Sequence, residues 1–187
     1  MKKKSHFDLS KVNLKIIIYF SILIATIIAI ITTVYIKHTQ ILPQEVASIS
    51  QETIKGNATI IDGDSIMISS TMIRLLGIDA PELHQFCGTK KARYPCGLDA
   101  KKYLERLIAN QPVTCHWYKK DKYRRILATC KTKQVSNINA TIVQNGWAVS
   151  YHDYPKEEQE ARKKKKGIWR SSFQQPREWR KTHPRTE

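Results

Sequence analysis

One stretch of the sequence constrains the chain more than any other: 21 consecutive residues, 16–36, include no charged side chain. A helix rises about 1.5 Å per residue, so this stretch can cross a hydrocarbon core of roughly 30 Å. The apolar region of a cleaved signal peptide is shorter, about 7 to 15 residues. Residues 16–36 are therefore predicted to be a transmembrane signal anchor, with cleavage near residues 46–48 as the alternative.

The lysines that flank this stretch predict its orientation. Five lysines lie within residues 1–15, whereas Lys37 alone closely follows the apolar stretch. Positively charged flanks stay in the cytoplasm. We therefore expect a single-pass membrane protein with a cytoplasmic basic N-terminus and a periplasmic or extracellular domain, or a secreted domain if the signal is cleaved.

The chain is strongly basic. It holds 32 Lys and Arg against 16 Asp and Glu, which gives a net charge of +16. Residues 1–40 hold six of the Lys and one of the Asp residues, so 26 basic and 15 acidic residues remain and the exported part keeps a charge of +11. An exported domain with this charge attracts polyanions. Nucleic acid, anionic lipid and cell-surface polymers all fit, and charge alone does not choose among them.

Composition divides the exported part into three segments. Residues 37–54 are polar, include Pro43 and show no sustained periodicity, so they are predicted to be a linker. The folded domain is expected over residues 55–170. Residues 171–187 are a basic, aromatic tail that would either wrap the domain or contact a ligand.

Short apolar runs separated by turn signals predict the elements of this domain. Three strands are followed by a helix, then by two β-rich runs around a polar turn, then by two helices. Five strands with a helix between the third and the fourth are typical of a small Greek-key barrel of the OB type. The predicted class is therefore α+β, a five-stranded OB-fold barrel with three helices, preceded by one transmembrane helix. The first three strands are predicted at Ala58–Ile61, Ser65–Ser69 and Met72–Leu76, and the helices at Gly97–Ala109, Ile138–Trp147 and Pro155–Gly167.

The four cysteines lie in the exported part, where disulfides form and persist. Cys115 and Cys130 stand at equal distances from the polar turn, so they are expected to face each other on a hairpin. Cys87 and Cys96 would then close a short loop. The alternative is a zinc site that includes His84, although the spacing C-x8-C is not that of the common zinc knuckles.

Two acidic clusters stand at the ends of predicted strands. Asp62 and Asp64 follow the first strand, and Asp79 and Glu82 follow the third. Carboxylates from neighbouring strands can converge, and hard divalent cations such as Ca²⁺ prefer oxygen ligands. Asp and Gly are also common turn residues, and for Asp62 alone the turn interpretation is favoured.

Arg74 occupies an otherwise apolar strand position, where a buried cation is costly unless an anion meets it. A phosphate group fits, because a guanidinium matches its oxygens with two hydrogen bonds. Arg125, in the predicted hairpin loop, could supply a second guanidinium, although loop arginines are usually solvated.

Several motifs occur in order along the chain and together resemble the staphylococcal nuclease, or thermonuclease, family. They cover roughly residues 56–170, and the cysteine loop and the tail resemble exported, membrane-anchored bacterial members. The motifs are Ile61-Asp-Gly-Asp-Ser65, Ile73-Arg-Leu-Leu-Gly-Ile-Asp-Ala-Pro-Glu82, Asp121-Lys-Tyr-Arg-Arg125, Asn139, Val143-Gln-Asn-Gly146 and Gly167-Ile-Trp169.

The resemblance implies an OB barrel with three helices and a Ca²⁺-dependent nuclease that hydrolyses DNA and RNA and leaves 3′-phosphates. It implies that Asp64, Asp79 and the backbone carbonyl of Ala80 bind the metal. Glu82 would be the general base that activates water, while Arg74 and Arg125 would bind phosphate and stabilise its developing charge. The substrate-binding positions implied by the family motifs are Lys122, Tyr123 and Tyr151.

Two residues depart from the family's pattern. Ala80 replaces a common threonine, which leaves a main-chain ligand intact, and Arg124 stands where the best-known member has glycine. The alternative function is a catalytically inactive OB-fold module that binds nucleic acid or another polyanion at the membrane surface. An inactive relative should lose Glu82, an arginine or an aspartate of the site, and none is lost.

Overall fold

The computed structural model describes residues 14–45 and 51–184, which fall into two compact units divided near residue 50. In the first unit, helix α1 spans Leu14–Glu45. Its segment Lys15–Lys37 is long and apolar enough to cross a membrane, a test that an N-terminal signal sequence also passes. The helix extends into the predicted linker, because adding residues to an existing helix costs little.

The second unit is built from short strands and four α-helices within residues 51–184. The strands are β1 Glu52–Gly56, β2 Ala58–Ile60, β3 Ser65–Ile68, β4 Thr71–Leu75, β5 Ile78–Asp79, β6 Cys87–Thr89, β7 Ala92–Tyr94, β8 Val113–Lys120, β9 Ile126–Lys131 and β10 Val149–Ser150. The helices are α2 Cys96–Ile108, α3 Ile138–Gln144, α4 Pro155–Lys163 and α5 Pro176–Thr182, with a 3₁₀ turn at Gly167–Arg170.

The main sheet closes into a barrel. Its strand order is β1-β8-β9-β4-β3-β2, with β4 and β9 parallel and the other neighbours antiparallel. The two edge strands, β1 and β2, are separated along the chain by Asn57 alone. The sheet must therefore curl until its edges meet, and β1 with β2 counts as one strand of five. The predicted OB-fold barrel is confirmed.

The first strand corrects the predicted domain boundary. β1 begins at Glu52, whereas the linker was expected to continue through residue 54. Its sequence is mostly polar and gives no apolar run, because the strand lies at an edge and is largely exposed. Pairing with β8, in which Ile54 lies opposite Cys115, makes it a strand.

The three predicted helices correspond to α2, α3 and α4. α3 ends at Gln144 rather than at residue 147, because Asn145 caps it and Gly146 turns the chain with a φ of +73°. Gly146 also lies against the 3₁₀ turn, where an added Cβ would be 2.3 Å from the carbonyl oxygen of Lys166. α5, within the tail, was not predicted.

Asn139 of α3 joins two strands of the barrel. It is fully buried, and its Nδ2 donates to the carbonyls of Leu76 and Ala128 while its Oδ1 accepts from the backbone of Cys130. These bonds satisfy backbone groups where β4 and β9 separate. Around them lies the apolar core, formed mainly by Ile66, Ile68, Ile73, Leu75, Leu104, Ile126, Ile138 and Ile142.

Both predicted disulfides are present. Cys115 faces Cys130 in the register of β8 and β9, as the equal arms of the hairpin predicted. Cys87 is bonded to Cys96 across the small β6–β7 hairpin. Because all four cysteines are paired, the alternative zinc site with His84 is excluded.

Candidate active site

Two aspartates and an arginine meet beside the barrel strands. Asp64 immediately precedes β3, Arg74 lies on β4 and Asp79 ends β5. β3 and β4 pair with Ser65 opposite Arg74, and the backbone of Leu75 donates to the carbonyl of Asp64 at 2.8 Å. Strand pairing therefore places carboxylates that are fifteen positions apart in the sequence on either side of one guanidinium.

Arg74 bridges the two aspartates. Its Nη1 donates to Oδ1 of Asp64 at 2.7 Å, and its Nη2 donates to Oδ1 of Asp79 at 2.8 Å. Each carboxylate side chain is only 4% exposed. The sequence predicted an anion for this buried cation and favoured phosphate, whereas in the structure two carboxylates meet it. The two acidic clusters converge, as expected.

The turn before β3 fixes the position of Asp64. Oδ1 of Asp62 accepts from the backbone of Asp64, which is the turn role favoured for Asp62. A Cβ at Gly63 would lie 2.7 Å from the Cβ of Ala80 and 2.9 Å from that of Ala100, so only glycine allows this approach. The backbone N–H of Ala80 then donates to Oδ2 of Asp64 at 2.8 Å.

Burial dominates the electrostatics of Asp64. Removal from solvent raises the pKa of Asp64 from 3.8 to about 7, although the charge of Arg74 pulls it down. Burial alone would lower the pKa of Arg74, but the charges of Asp64 and Asp79 outweigh it and raise that pKa above its ordinary value. The site therefore has a strong demand for positive charge.

Glu82 lies three residues beyond β5, close to the same cluster. Its side chain is 14% exposed, and its Oε1 accepts a hydrogen bond from Nη1 of Arg180 at 2.8 Å. Arg180 also donates to Asp79, from Nη1 to Oδ1 and from Nη2 to Oδ2, both at 2.9 Å. Arg180 thus connects Glu82 with Asp79.

Sequence reasoning missed Arg180. It lies 101 positions from Asp79, on α5 in the basic tail, where no apolar periodicity marks a helix. A signal was nevertheless present: Pro176 at the first helical position, Glu178 in the first turn and basic residues in the last turn are the order that a helix prefers. Partial burial would lower the pKa of Arg180, but its bonds to the carboxylates raise it.

Arg125 lies in the loop between β8 and β9, and its hydrogen bonds are local. Its Nε and Nη2 both approach Oδ2 of Asp121 at 2.8 Å, while Oδ1 of Asp121 accepts from the backbones of Tyr123 and Arg125. Among the bonds of residues 51–184, none joins Arg125 to Asp64 or Asp79. The structure therefore leaves Arg125 outside the carboxylate cluster.

Arg124 keeps the loop in the conformation that glycine would favour. Its φ is +65°, in the left-handed region, which costs a non-glycine residue roughly 1 to 2 kcal/mol. Lys122 stacks its ammonium 5.0 Å from the ring centre of Tyr123, whose side chain is exposed. The loop presents basic and aromatic groups to solvent.

Tyr151 follows β10, the strand that pairs with β5. Val149 lies opposite Asp79 in that pair, and the backbone of Tyr151 donates to the carbonyl of Gly77 at 2.9 Å. The Tyr151 side chain is 48% exposed and meets the ring of His152 edge-on. The bond to Gly77 therefore places the backbone of Tyr151 beside the residue that precedes β5, the strand that carries Asp79.

Asp64 and Asp79 fit a hard cation if backbone carbonyls and water supply its remaining ligands. No group of three or more His, Cys, Asp or Glu side chains converges in residues 14–45 and 51–184. Oδ2 of Asp64 accepts one hydrogen bond, from Ala80, and Oδ2 of Asp79 accepts one, from Arg180, so each keeps an acceptor position. Ca²⁺ accepts carboxylate, carbonyl and water oxygens together.

Comparisons with known proteins agree with this geometry. The family described as staphylococcal nuclease homologue matches residues 72–171, which include Arg74, Asp79, Glu82 and Arg125. Asp64 precedes the matched range and Arg180 follows it.

Three curated relatives illustrate the similarity. Succinoglycan biosynthesis protein ExoI of Rhizobium meliloti is 32% identical over 127 residues, which are 64% of this chain and 66% of that protein. An uncharacterized endonuclease of Escherichia coli is 32% identical over 59% of this chain and 72% of its own length. Micrococcal nuclease of Shigella flexneri is 32% identical over 65% of this chain and 77% of its own length.

Proposed function

The chain belongs to the staphylococcal nuclease family, its domain is a nuclease of the hydrolase class, and from this premise we propose that it hydrolyses DNA and RNA with a bound Ca²⁺ ion. The observation that supports the proposal best is the convergence of Asp64, Arg74 and Asp79, with Glu82 joined to the cluster through Arg180. Phosphodiester hydrolysis needs carboxylates for a cation, a general base and a guanidinium, and these residues would supply them.

The metal would be held by Asp64, Asp79 and the carbonyl of Ala80. When bound, Ca²⁺ would supply positive charge that stabilises the phosphate oxygens in the transition state. Asp64 is buried and fixed by hydrogen bonds from Ser65, Arg74 and Ala80, so it needs little reorganisation to receive a cation. Preorganisation of this kind is a main source of electrostatic catalysis.

Glu82 would act as the general base and remove a proton from the attacking water. Its backbone N–H donates to Oε1 of Gln85 at 3.2 Å, and its carbonyl accepts from the backbone of Gln85 at 2.7 Å. Gln85 is fully buried. The main chain of Glu82 is therefore held firmly while its carboxylate faces the cluster, as a base that must meet a water molecule requires.

The two arginines would bind the phosphate while each is held by different carboxylates. Arg74 uses its Nη atoms on the aspartates and on the carbonyl of Ile78, so its Nε–H remains for a phosphate oxygen. Nε and Nη2 of Arg125 both bond to Asp121, so its Nη1 remains for a phosphate oxygen. Both would stabilise negative charge that develops on the phosphate.

Lys122, Tyr123 and Tyr151 would contact the substrate beyond the scissile phosphate. Exposed aromatic rings can stack on bases, and lysines interact with phosphates, irrespective of sequence. Cleavage at the 5′ P–O bond would leave 3′-phosphates. The basic composition of the chain favours a polyanionic substrate of this kind.

The domain would act outside the cytoplasm. The apolar segment of α1 and the two disulfides support an exported protein, and the lysines before the segment favour a cytoplasmic N-terminus. We therefore propose a single-pass membrane protein with a periplasmic or extracellular nuclease domain, or a secreted one after signal cleavage.

Cleavage assays on the full-length chain, purified oxidised in detergent, test the proposal. With Ca²⁺, labelled DNA and RNA oligonucleotides should be cut to fragments that end in 3′-phosphates, and chelation should stop cleavage. The matched control is Glu82→Gln. Binding of oligonucleotide without cleavage would instead favour the inactive OB-fold module, and cleavage in chelator would refute the role of the metal.

A further inference from the structure

We propose that Arg180 is a built-in competitor of the metal ion and sets the affinity of the active site for Ca²⁺. The inference rests on the proposed function, because it concerns the same carboxylates. It adds a positioning residue from the C-terminal tail, outside the range that matches the family.

The contacts of Arg180 are those of a cation seated at a binding site. Its two Nη atoms donate to both oxygens of Asp79 at 2.9 Å, and Nη1 also donates to Glu82 at 2.8 Å. Asp79 is buried, whereas the Arg180 side chain is 37% exposed. The guanidinium therefore reaches into the cluster from its solvent side, and a charge-assisted fork of this kind is a strong interaction.

The position of Arg180 is determined by attachments of the tail to the domain. The buried side chain of Gln85 donates to the carbonyl of Gln174 at 2.7 Å, and the backbone of Gly88 donates to the carbonyl of Ser172 at 2.7 Å. Pro176, the first residue of α5, is buried. The backbone that leads to Arg180 is thus fixed shortly before the helix begins.

Gln85 also joins the tail to the catalytic loop. Its Oε1 accepts from the backbone of Glu82 at 3.2 Å while its Nε2 holds Gln174. One buried amide therefore orders both Glu82 and the chain that carries Arg180. The hydrogen bond between Arg180 and Glu82 completes a ring of contacts among Glu82, Gln85 and the tail. A basic tail that was not attached to the domain would not be expected to make these contacts.

Competition follows from the oxygen atoms involved. Oδ1 of Asp79 already accepts from Arg74 and Arg180, so a cation would bind Oδ2, which also accepts from Arg180. Ca²⁺ binds oxygen at about 2.4 Å, and Nη2 of Arg180 lies 2.9 Å from the same Oδ2. The ion and Nη2 would therefore be no more than about 5.3 Å apart. Their mutual repulsion weakens the binding of each, and a tightly bound metal would turn Arg180 outward.

Calcium binding to the full-length chain in detergent tests this inference, with isothermal titration calorimetry on wild type, Arg180→Gln and Lys181→Gln. Lys181 is the matched control, because it lies on the same helix, has the same charge and pairs with the exposed Glu178. Arg180→Gln should bind Ca²⁺ about ten-fold more tightly, since a like charge roughly 5 Å away is removed. Lys181→Gln should bind as wild type does.

Thermal unfolding gives a second readout that does not depend on catalysis. In chelator, Arg180→Gln should unfold at a lower temperature than Lys181→Gln, because Asp79 and Glu82 lose a counter-ion. Saturating Ca²⁺ should remove most of that difference, since the metal replaces the lost charge. If the melting temperatures stay apart by the same amount, the two cations do not substitute for each other and the inference is overturned.

The outcomes separate the inference from the proposed function. A wild-type chain that binds no Ca²⁺ would refute the calcium site and the inference with it. Wild type that binds Ca²⁺ while Arg180→Gln binds it equally or more weakly would refute the inference alone. If Arg180→Gln does not fold, Arg180→Met replaces it: it removes the charge and keeps an unbranched side chain, and calcium affinity equal to wild type would count against the competition.

Discussion

Arg74 and Arg125 are equally shielded from solvent, with 19% of each side chain exposed, yet their surroundings differ. Arg74 is held between two buried aspartates that come from different parts of the barrel. Arg125 is held by Asp121, four positions earlier in the same loop. The first arrangement depends on the whole fold, and the second on a five-residue turn.

The equal exposure of these two arginines therefore does not imply an equal role. The barrel cluster brings together the proposed metal ligands, their counter-ion and the proposed base, so it suits chemistry that tolerates little misplacement. The β8–β9 loop offers charges and aromatic rings close to solvent, so it suits recognition of a long, flexible polyanion. We expect changes in the cluster to affect turnover and folding, and changes in the loop to affect substrate binding.

The largest effect is expected from Glu82→Gln. The variant keeps an acceptor for Arg180 but cannot take a proton, so kcat should fall on the order of 10³-fold. Affinity for an oligonucleotide, measured with fluorescence anisotropy in chelator, should change little.

In the loop, Lys122→Ala should instead raise KM about ten-fold with kcat nearly unchanged, since a hydrogen bond to a charged group contributes roughly 1.5 kcal/mol. Equal losses of kcat in both variants would contradict the division of roles between the carboxylate cluster and the β8–β9 loop.

The next effect concerns stability. Arg74→Gln leaves two buried carboxylates without their shared counter-ion and should lower the free energy of unfolding by about 3 to 5 kcal/mol. Arg125→Gln removes a local ion pair near the surface and should cost about 1 kcal/mol or less. Urea unfolding of the full-length chain in chelator, followed by tryptophan fluorescence, measures both. Similar losses would show that the loop is as integral to the fold as the cluster.

The smallest effect is expected from Asp121→Asn. Burial would raise the pKa of Asp121, but its hydrogen bonds to Arg125 outweigh it and hold the pKa below the ordinary 3.8. A depressed pKa contributes stability that is present above the unfolded value and is lost as the pH falls through the folded one. At pH 7 the variant should therefore be less stable than wild type by up to about 1 kcal/mol, and the difference should shrink below pH 3.8. A difference independent of pH would refute the ion pair as its source.

Local patterns in the sequence predicted most of the fold. Turn signals and equal hairpin arms indicated the barrel strands and the pairing of Cys115 with Cys130, because both depend on neighbours along the chain. β1 was missed because its residues are mostly polar and exposed, and it is a strand only through pairing with β8. Such pairing between distant segments has no local signal.

The candidate site also contains residues that had a local sequence signal and residues that had none. The acidic turns and the odd strand position of Arg74 predicted the cluster, since each residue conflicts with its local surroundings. The bonds from Arg74 to both aspartates depend on how β3, β4 and β5 meet, so the residues alone did not show that carboxylates would be its partners. The presence of Arg180 could not be predicted, because it depends on where the tail returns to the domain. α5 itself could have been recognised from Pro176 and its charge order.

We propose that the carboxylate cluster binds Ca²⁺ and that this ion is used for cleavage. Calcium binding and oligonucleotide cleavage, measured over one Ca²⁺ titration on the full-length oxidised chain and on Asp64→Asn, test it most directly. We predict that wild type binds Ca²⁺ and gains activity over the same concentration range, and that Asp64→Asn loses both together. Full activity without bound Ca²⁺, or an Asp64→Asn variant that cleaves as wild type does, would contradict the claim.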